Sequence, residues 1–248
     1  MKPRWQGAWL PLGVLALWEA AARLGALPSN WFPSPSSVAA TVAELGLSGE
    51  LRAHVVATLG RLLLGFLLGA TLGSVLGVLC GRSARTRALL DPALQALRSV
   101  PSLAWVPLFL LWLGIGETSK VALIAVGAFF PVYLNLVSGI LAIDVRLVEV
   151  GTIHGYRGFE LARRVLIPAA LPAYLTGLRS GLGLAWMFVV AAELLGASRG
   201  LGYLLLDGQT SSRTELVMAA IVSFALLGKL SDRGLEELER RLQPWRSS

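Results

Sequence analysis

The sequence predicts an all-α protein that crosses a membrane several times. Of its 248 residues, 55% are hydrophobic and only 15% are charged, whereas soluble domains carry about 25% charged residues. The apolar residues occur in blocks that short charged segments separate. Such blocks are typical of several membrane-crossing helices rather than of one buried core. We therefore expect a single polytopic membrane protein.

Six apolar blocks are long enough, or nearly long enough, to cross a hydrocarbon layer, which takes about 20 residues as a helix. The third block is short and lies between Pro101 and Gly114, so we expect it to be tilted, kinked or only partly embedded. The predicted organisation is a first helix with an external connection over residues 1–54, a transmembrane domain over 55–232 and an amphipathic cytoplasmic tail over 233–248. The six predicted spans are residues 8–27, 55–80, 100–114, 118–142, 173–196 and 214–230.

The distribution of basic residues predicts the orientation, because short cytoplasmic loops hold an excess of Lys and Arg. Of the 22 Lys and Arg residues, fifteen fall on one side of the six-span layout and four on the other. This asymmetry predicts that both chain termini are cytoplasmic. The fifteen are Lys2, Arg4, Arg82, Arg85, Arg87, Arg98, Arg146, Arg157, Arg163, Arg164, Lys229, Arg233, Arg240, Arg241 and Arg246. The four are Arg52, Lys120, Arg199 and Arg213.

The start of the chain has two interpretations. Lys2 and Arg4 precede the apolar run of residues 8–17, an order that also occurs in cleaved secretion signals. No persuasive small-residue cleavage site follows this run, and the later spans need an anchored start. We therefore expect an uncleaved first span.

Composition and motifs exclude several classes of function. The net charge of +7 suits a nucleic-acid partner, but no nucleic-acid motif accompanies it, and we expect none. Cys80, His54 and His154 are the chain's only cysteine and histidines, too few for a usual metal cluster. The chain also has no Gly-x-x-x-x-Gly-Lys-Ser/Thr phosphate loop and no hydrolase signature. We expect no enzymatic activity of its own, so another polypeptide must hydrolyse any ATP.

The second predicted span carries a glycine at every fourth residue. This spacing places the glycines along one ridge of the helix, where a second backbone can approach closely in lipid. We expect this glycine ridge to pack against another helix rather than to contact a transported solute. The glycine ridge consists of Gly65, Gly69, Gly73, Gly77 and Gly81.

Ionisable residues at membrane depth cost roughly 2.5–3.5 kcal/mol on insertion scales, so each requires a reason. Glu19 and Arg23 lie four residues apart on one helix face and are expected to pair. Arg61 and Arg179 lie within about two turns of a predicted span end, from which a long side chain reaches the interface.

Three further residues are candidates for lining a translocation pathway. Glu193 lies late in the fifth predicted span, beside two alanines. It either lines the pathway or pairs with a neighbouring helix. Asn135 and Tyr133 on the fourth predicted span are additional candidates.

The polar segment 144–172 lies between the fourth and fifth predicted spans and is too regular to be a slack connection. The pattern predicts a short helix over residues 147–153, a break at Gly155 and a second helix over 158–166 that the following prolines end. Two short helices joined at a glycine form a compact knob that fits a groove on a soluble partner. The alternative is that Gly155 and Pro168 merely punctuate an interfacial hairpin.

This segment resembles the EAA loop of ABC importer permeases, in which Glu-Ala-Ala is followed after three residues by Gly and later by Ile-x-Leu-Pro. Val150 and Gly151 replace the two alanines, Val165 replaces the Ile and Ile167 replaces the Leu. Gly151 weakens the first helix by up to about 1 kcal/mol relative to Ala. The resemblance implies that the matching residues contact an ATPase subunit. They are Glu149, Gly151, Gly155, Val165, Ile167 and Pro168.

The resemblance covers residues 28–242 and is strongest to the nitrate, sulfonate and taurine permease group. Further matching stretches are Leu27 to Ser36, Pro101 to Lys120, Phe129-Phe130-Pro131 and Glu193 to Tyr203. This resemblance implies the type I importer permease (MetI-like) fold in a bacterial inner membrane. It implies a homodimer of permeases among membrane lipids, two ATPase subunits that bind ATP and Mg, and a periplasmic or lipid-anchored substrate-binding protein. It implies no cofactor in this chain.

Three alternatives to a nitrate, sulfonate or taurine permease stay open. A permease of this kind for another small organic, such as a thiamine precursor, has the same sequence features. A carrier or channel driven by an ion gradient would work without ATP, but no inverted halves or matching broken spans are evident. An integral-membrane enzyme is disfavoured by the scarcity of His, Cys and clustered acids.

Overall fold

The computed structural model describes residues 9–28, 31–101 and 104–243. Every regular element within these ranges is helical, and the predicted all-α class is confirmed. Lys2, Arg4 and Arg246, which the charge distribution predicts to be cytoplasmic, lie outside the described residues. The helices are α1 (Trp9–Arg23), α2 (Pro35–Ser48), α3 (Glu50–Arg82), α4 (Ala84–Ser99), α5 (Trp105–Leu113), α6 (Glu117–Leu141), α7 (Val145–Ile153), α8 (Gly158–Leu161), α9 (Ile167–Leu194), α10 (Leu201–Thr210) and α11 (Thr214–Leu242).

Four helices of the described chain are long and apolar enough to cross a membrane, and each overlaps a predicted span. They are Glu50–Arg82, Glu117–Leu141, Gly158–Leu194 and Thr214–Leu242. The described part of the first predicted span, α1, has 15 residues, fewer than the about 20 of a crossing helix. The predicted tail is helical to Leu242 as the direct continuation of α11.

Among the described residues, the third apolar block (100–114) contains no helix long enough to cross a membrane. It contains α5, which has nine residues and is therefore only about 14 Å long. Gly114 ends α5 in a left-handed conformation with φ of 76°, which glycine adopts without the steric cost of a side chain. The length of α5 thus agrees with partial embedding of this block in the membrane, and it is too short for a full span.

The second helix of the segment 144–172 differs from its prediction. It does not end at Pro168 or Pro172 but continues from Gly158 to Leu194 as one helix of 37 residues. Residues Ala162–Leu166 form a π-helical turn, and the Ile167 amide bonds to Ala162 O, five residues back. This wider turn comes directly before Pro168, so that proline falls in the first turn of α9, where its missing N–H costs little.

The described residues fall into two compact units. The first unit comprises the described parts of 1–58 and 197–227, and the second comprises those of 59–196 and 228–243. The core of the first unit joins α2, α10 and the first half of α11. Around it pack half-buried side chains that include Val42 and Phe224. The core residues are Leu45, Leu201, Leu204, Leu216, Ala219 and Ala220.

In the first unit, polar side chains bond to the starts of two helices. The predicted Glu19–Arg23 pair is confirmed at 2.6 Å, and Glu19 also accepts from the backbone N–H and hydroxyl of Ser36 in the first turn of α2. At α10, His54 Nδ1 accepts from the Gly200 amide and Thr58 Oγ1 from the Leu201 amide. Both helices thereby gain partners for N–H groups that lack intrahelical acceptors.

In the second unit, α6 lies between α3 and α9, and glycines allow close contact on both sides. A Cβ built on Gly69 would overlap the backbone carbonyl group of Ala125. One built on Gly65 would lie 2.5 Å from the Ile124 side chain. On the α9 side, Gly177 and Gly181 face backbone atoms of α6 in the same way. The glycine ridge lies along α6, where its members face Ile124, Ala125, Phe129, Leu136 and Ile140.

The glycine ridge generates a prediction about stability. Gly69→Ala is expected to lower the free energy of unfolding by about 1–3 kcal/mol, because the added methyl group overlaps the Ala125 backbone, which cannot move aside as a side chain can. Gly60→Ala on the same helix is the matched control, since a Cβ there meets nothing within 4 Å. Thermal unfolding of the purified protein in detergent measures both. Equal melting temperatures for the two variants would contradict the proposed close approach.

Candidate functional site

The two short helices predicted in segment 144–172 form a compact hairpin, here called the knob (residues 145–166). Asp144 caps α7 by accepting the Arg146 amide at 2.9 Å. The chain then reverses, and the Tyr156 amide donates to Gly151 O at 3.0 Å. Gly155 takes φ of 83° in this turn, a conformation that favours glycine. The predicted break at Gly155 therefore has a definite geometric cause.

Gly151 is buried where the two arms of the knob meet. A Cβ at this position would lie 2.7 Å from Leu161 and 3.0 Å from Val165, both on the second arm. Glycine where the EAA loop has alanine therefore fits this knob for a packing reason, which offsets its lower helix propensity. Two of the six residues matched to the EAA loop thus contact each other across the knob, Gly151 on the first arm and Val165 on the second.

Polar contacts strengthen the same hairpin. Arg164 donates to the Tyr156 hydroxyl at 3.0 Å and lies 4.8 Å from the centre of that ring. Arg164 also pairs with Glu160 one turn earlier at 3.1 Å. A cation held over an aromatic ring and paired with a carboxylate has little conformational freedom. These contacts tie the second arm of the knob to the turn at Tyr156.

The outer surface of the knob combines one acid with several apolar side chains. Glu149 is exposed, and Ile153 and Phe159 are 81% and 80% exposed. Exposed apolar side chains of this size are typical of a surface that a protein partner covers. Ile167 and Pro168, the remaining matched residues, lie outside the knob in the first turn of α9, and Ile167 is exposed.

A second candidate site is a cluster of charges around Arg61. Its guanidinium donates to Glu193 at 2.7 Å and to both oxygens of Glu117 at 2.6 and 2.8 Å. Lys120 adds a 3.1 Å contact with Glu117. Arg61 and Glu193 are 7% and 0% exposed, whereas Glu117 is 62% exposed. The cluster thus links α3, the start of α6 and the end of α9.

The charge cluster bears on two expectations. Arg61 is buried, and its partners are the exposed Glu117 and the buried Glu193. Glu193 pairs with a neighbouring helix, and a role in lining the pathway stays a prediction. Glu117 and Lys120 were not predicted as partners of Arg61. Arg61 precedes Gly65 by four residues and so continues the glycine ridge. This spacing was the one sign in the sequence that Arg61 faces another helix.

Tyr133 and Asn135, the other predicted pathway candidates, are engaged within the second unit and do not join the charge cluster. Tyr133 is 1% exposed, donates to Asp91 of α4 at 3.0 Å and stacks on Phe129. Asn135 is half-buried and donates to Pro131 O of the same helix at 2.8 Å. The Tyr133 side chain therefore joins α6 to α4, whereas the Asn135 bond lies within α6.

Comparison with known proteins identifies the family. Residues 54–244, which contain the glycine ridge, the charge cluster and the knob, match the family described as the binding-protein-dependent transport system inner membrane component. The chain belongs to this family. It is a multi-pass membrane protein and the permease subunit of an ABC importer, as the resemblance of the 144–172 segment implied.

Similar proteins cover nearly the whole chain. It is 46% identical over 98% of its length to the aliphatic sulfonates transport permease protein SsuC of Bacillus subtilis, of which 88% is covered. It is 42% identical over 95% of its length to the protein of the same name in Escherichia coli, covering 90% of that relative. The Escherichia coli taurine transport system permease protein TauC is 34% identical over 94% of the chain and is covered over 86%.

A solved structure shares the fold. The MetNI methionine ABC transporter, in an inward-facing conformation, contains a chain that superimposes with a TM-score of 0.66 at 22% identity. The match covers 77% of the present chain and 95% of that one. The predicted MetI-like permease fold is confirmed.

The charge cluster predicts a large effect of removing one partner. Arg61→Met is expected to lower the free energy of unfolding by about 3–5 kcal/mol, because the Glu193 carboxylate loses the guanidinium that compensates its burial. The double variant Arg61→Met/Glu193→Met should regain much of this loss, since two apolar side chains replace the buried charges. Thermal unfolding in detergent measures each step.

The matched control for this prediction is Arg23→Met, which removes the arginine of a pair in which Arg23 is 70% exposed. It should change the stability by about 1 kcal/mol or less. A double variant no more stable than Arg61→Met would contradict the role given to the buried pair.

Proposed function

We propose that this chain forms the translocation pathway of an ATP-driven importer for small sulfonates, of the aliphatic sulfonate or taurine type. The observation that carries the proposal is the high identity to two permeases named for aliphatic sulfonates, 46% and 42% over nearly the full chain. The lower identity to the taurine permease, 34%, supports the same chemical class. Sulfonate and nitrate share a compact anionic head, so nitrate is a related candidate.

A second candidate substrate class is a larger neutral organic. The riboflavin transport system permease protein RibX of Chloroflexus aurantiacus is 36% identical over 98% of the chain. This identity is close to that of the taurine permease. A thiamine precursor belongs to the same broad class of small heterocyclic solutes.

We further propose that the knob docks into an ATPase subunit and transmits its movement to the spans. Its internal packing at Gly151 and its Tyr156–Arg164 contact support this role, because a stiff element transmits displacement. Exposed Ile153 and Phe159 supply an apolar contact surface beside Glu149. ATP and Mg would be bound by the ATPase partner, and this chain would be non-catalytic.

The proposed assembly and orientation follow the family resemblance and the charge distribution. Two copies of this chain would flank one pathway, with two ATPase subunits on the cytoplasmic side and a substrate-binding protein outside. The excess of Lys and Arg in segments such as 82–98 and 157–164 supports a cytoplasmic knob and cytoplasmic termini. A bacterial inner membrane is the corresponding location.

The substrate proposal is tested by uptake. Proteoliposomes that contain the permease and its ATPase, with the cognate binding protein outside, are expected to accumulate ethanesulfonate or taurine when ATP is supplied inside. Riboflavin and nitrate are measured in parallel, and ATP replaced by a non-hydrolysable analogue serves as the control. ATP-dependent uptake of riboflavin but of neither sulfonate would contradict the proposed substrate class. Uptake without ATP would contradict the assigned mechanism.

The coupling proposal is tested on the knob. Glu149→Lys is expected to reduce co-purification of the ATPase and to lower uptake by about tenfold or more, because it reverses a charge at the proposed contact. Glu44→Lys, an equally exposed acid on α2, is the matched control. Its uptake should equal that of the unchanged protein. Normal ATPase binding and uptake in Glu149→Lys would remove Glu149 from the proposed contact.

A further inference from the structure

An apolar groove lies between the end of α3 and the beginning of α9, and α6 forms its base. It has a volume of about 290 Å³. Val78 lines it on α3, Ile140 on α6 and Leu171 on α9. On α3 the groove extends from Ser74 to Arg82, a distance of about 12 Å along the helix axis. All of its lining residues belong to the second unit.

The groove is apolar along its length and polar only at its ends. At one end, the Ser74 and Tyr174 hydroxyl groups lie 3.0 Å apart and form a hydrogen bond with each other. Neither hydroxyl therefore requires a polar group from a ligand. Arg82 lies at the other end and is exposed. A ligand that matches this groove is long and apolar, with an anionic group at the Arg82 end.

All three walls change from apolar to polar at the same end of the groove. The helix α3 ends at Arg82, directly after an apolar stretch. The helix α6 ends at Leu141, where the polar segment 144–172 is about to begin. The helix α9 begins shortly after Arg164 of the π-helical turn. Because these helices are long enough to cross a membrane, the common transition places the Arg82 end of the groove at a membrane surface and the other end in the hydrocarbon layer.

The arginines at this end lack the carboxylate partners that other arginines of the unit have. Arg61 pairs with Glu193 at 2.7 Å, and Arg179 pairs with Asp232 at 2.6 Å. Within the described part of the chain, by contrast, no carboxylate forms an ion pair with Arg82. The same is true of two further exposed arginines close to this end in the sequence, Arg85 and Arg163. The mouth of the groove thus carries positive charge that the unit itself does not compensate.

A phospholipid has the two chemical features that this groove requires. Its acyl chain matches the apolar walls and gains free energy for each methylene group that it buries. Its phosphate matches the arginines, because basic pockets between membrane helices bind anionic headgroups. A small sulfonate has little apolar surface to bury here, so the groove does not suit the solute proposed above.

We propose that this groove binds one acyl chain of an anionic phospholipid, and that Arg82 binds the phosphate group of the same lipid. The bound chain contacts Ala162 and Leu166, the first and last residues of the π-helical turn. The lipid thereby restrains the junction between the knob and α9. This site is independent of the transported solute and of the proposed ATPase contact.

The test measures lipid binding to the purified permease–ATPase complex by native mass spectrometry, with dioleoylphosphatidylglycerol as the probe. The unchanged complex is expected to bind it saturably. Dioleoylphosphatidylcholine has the same chains and no net charge, and it should bind about fivefold more weakly because it lacks the attraction to one arginine. Free glycerol phosphate, which has no acyl chain, should not compete. This comparison of probes needs no variant.

The apolar part of the site is tested by filling the groove. Val78→Trp is expected to weaken phosphatidylglycerol binding by about tenfold or more, because the indole displaces about two or more methylene groups of the chain. Val75→Trp is the matched control, since Val75 lies on the same helix, is 52% exposed and is not among the residues that line the groove. Its lipid binding should equal that of the unchanged complex.

The charged part of the site is tested at its mouth. Arg82→Gln is expected to weaken phosphatidylglycerol binding by about fivefold and to leave phosphatidylcholine binding unchanged. Arg52→Gln is the matched control, because Arg52 is an exposed arginine near the opposite end of α3. It should change the binding of neither lipid. A single symmetric elution peak and basal ATP hydrolysis report correct folding of each variant.

Hydrogen exchange reports the effect of the lipid on the π-helical turn. In nanodiscs, the backbone amides of residues 163–167 should exchange more slowly with phosphatidylglycerol than with phosphatidylcholine, because a bound chain opposes local opening. The difference should disappear in Val78→Trp and persist in Val75→Trp. Exchange that does not respond to the lipid would contradict the restraint at this turn.

Two outcomes would overturn the site itself. Equal phosphatidylglycerol binding by the unchanged complex, Val78→Trp and Arg82→Gln indicates lipid that only surrounds the protein. Loss of the ATPase or of a second permease copy from Val78→Trp, with normal lipid binding in Arg82→Gln, indicates that a protein covers the groove. Neither outcome bears on the sulfonate proposal, which the uptake assay tests separately.

Discussion

The close approach of α3 to α6 is the constraint on which the rest of the second unit depends. Glycine at every fourth position of α3 removes the side chains that would keep the two backbones apart, and Ala125 occupies the resulting space. Without a hydrophobic force between helices in lipid, this contact relies on dispersion at short range. It also fixes the position of Arg61, which lies one turn before Gly65. From there the guanidinium reaches both α6 and α9.

Local features of the fold were predictable from the sequence, and long-range ones were not. The glycine ridge, the Glu19–Arg23 pair and the break at Gly155 follow from spacings of three to six residues. The partners of Arg61, by contrast, lie 56 and 132 positions away in the chain, and no periodicity connects them. Asp232, 53 positions from Arg179, was missed for the same reason.

The clearest error of prediction concerns a helix end, and the short third block shows how a glycine ends another helix. Pro168 and Pro172 indicated a helix end because proline lacks an N–H group and crowds the preceding turn. The structure instead widens the turn just before Pro168, and the helix continues. The block 100–114 had the composition of a span but contains a nine-residue helix, because Gly114 adopts a backbone conformation that ends it.

The π-helical turn Ala162–Leu166 has a mechanical consequence for residues 158–194. An α-helix resists bending through its regular ladder of backbone bonds, and a wider turn with five-residue spacing is locally more compliant. Bending between the knob and α9 would therefore concentrate at Ala162–Leu166, where the two join. Beyond this turn α9 runs for about 42 Å, with Pro172 in its second turn and Glu193 in its last. The knob and the buried Glu193 carboxylate thus lie at opposite ends of one continuous helical stretch.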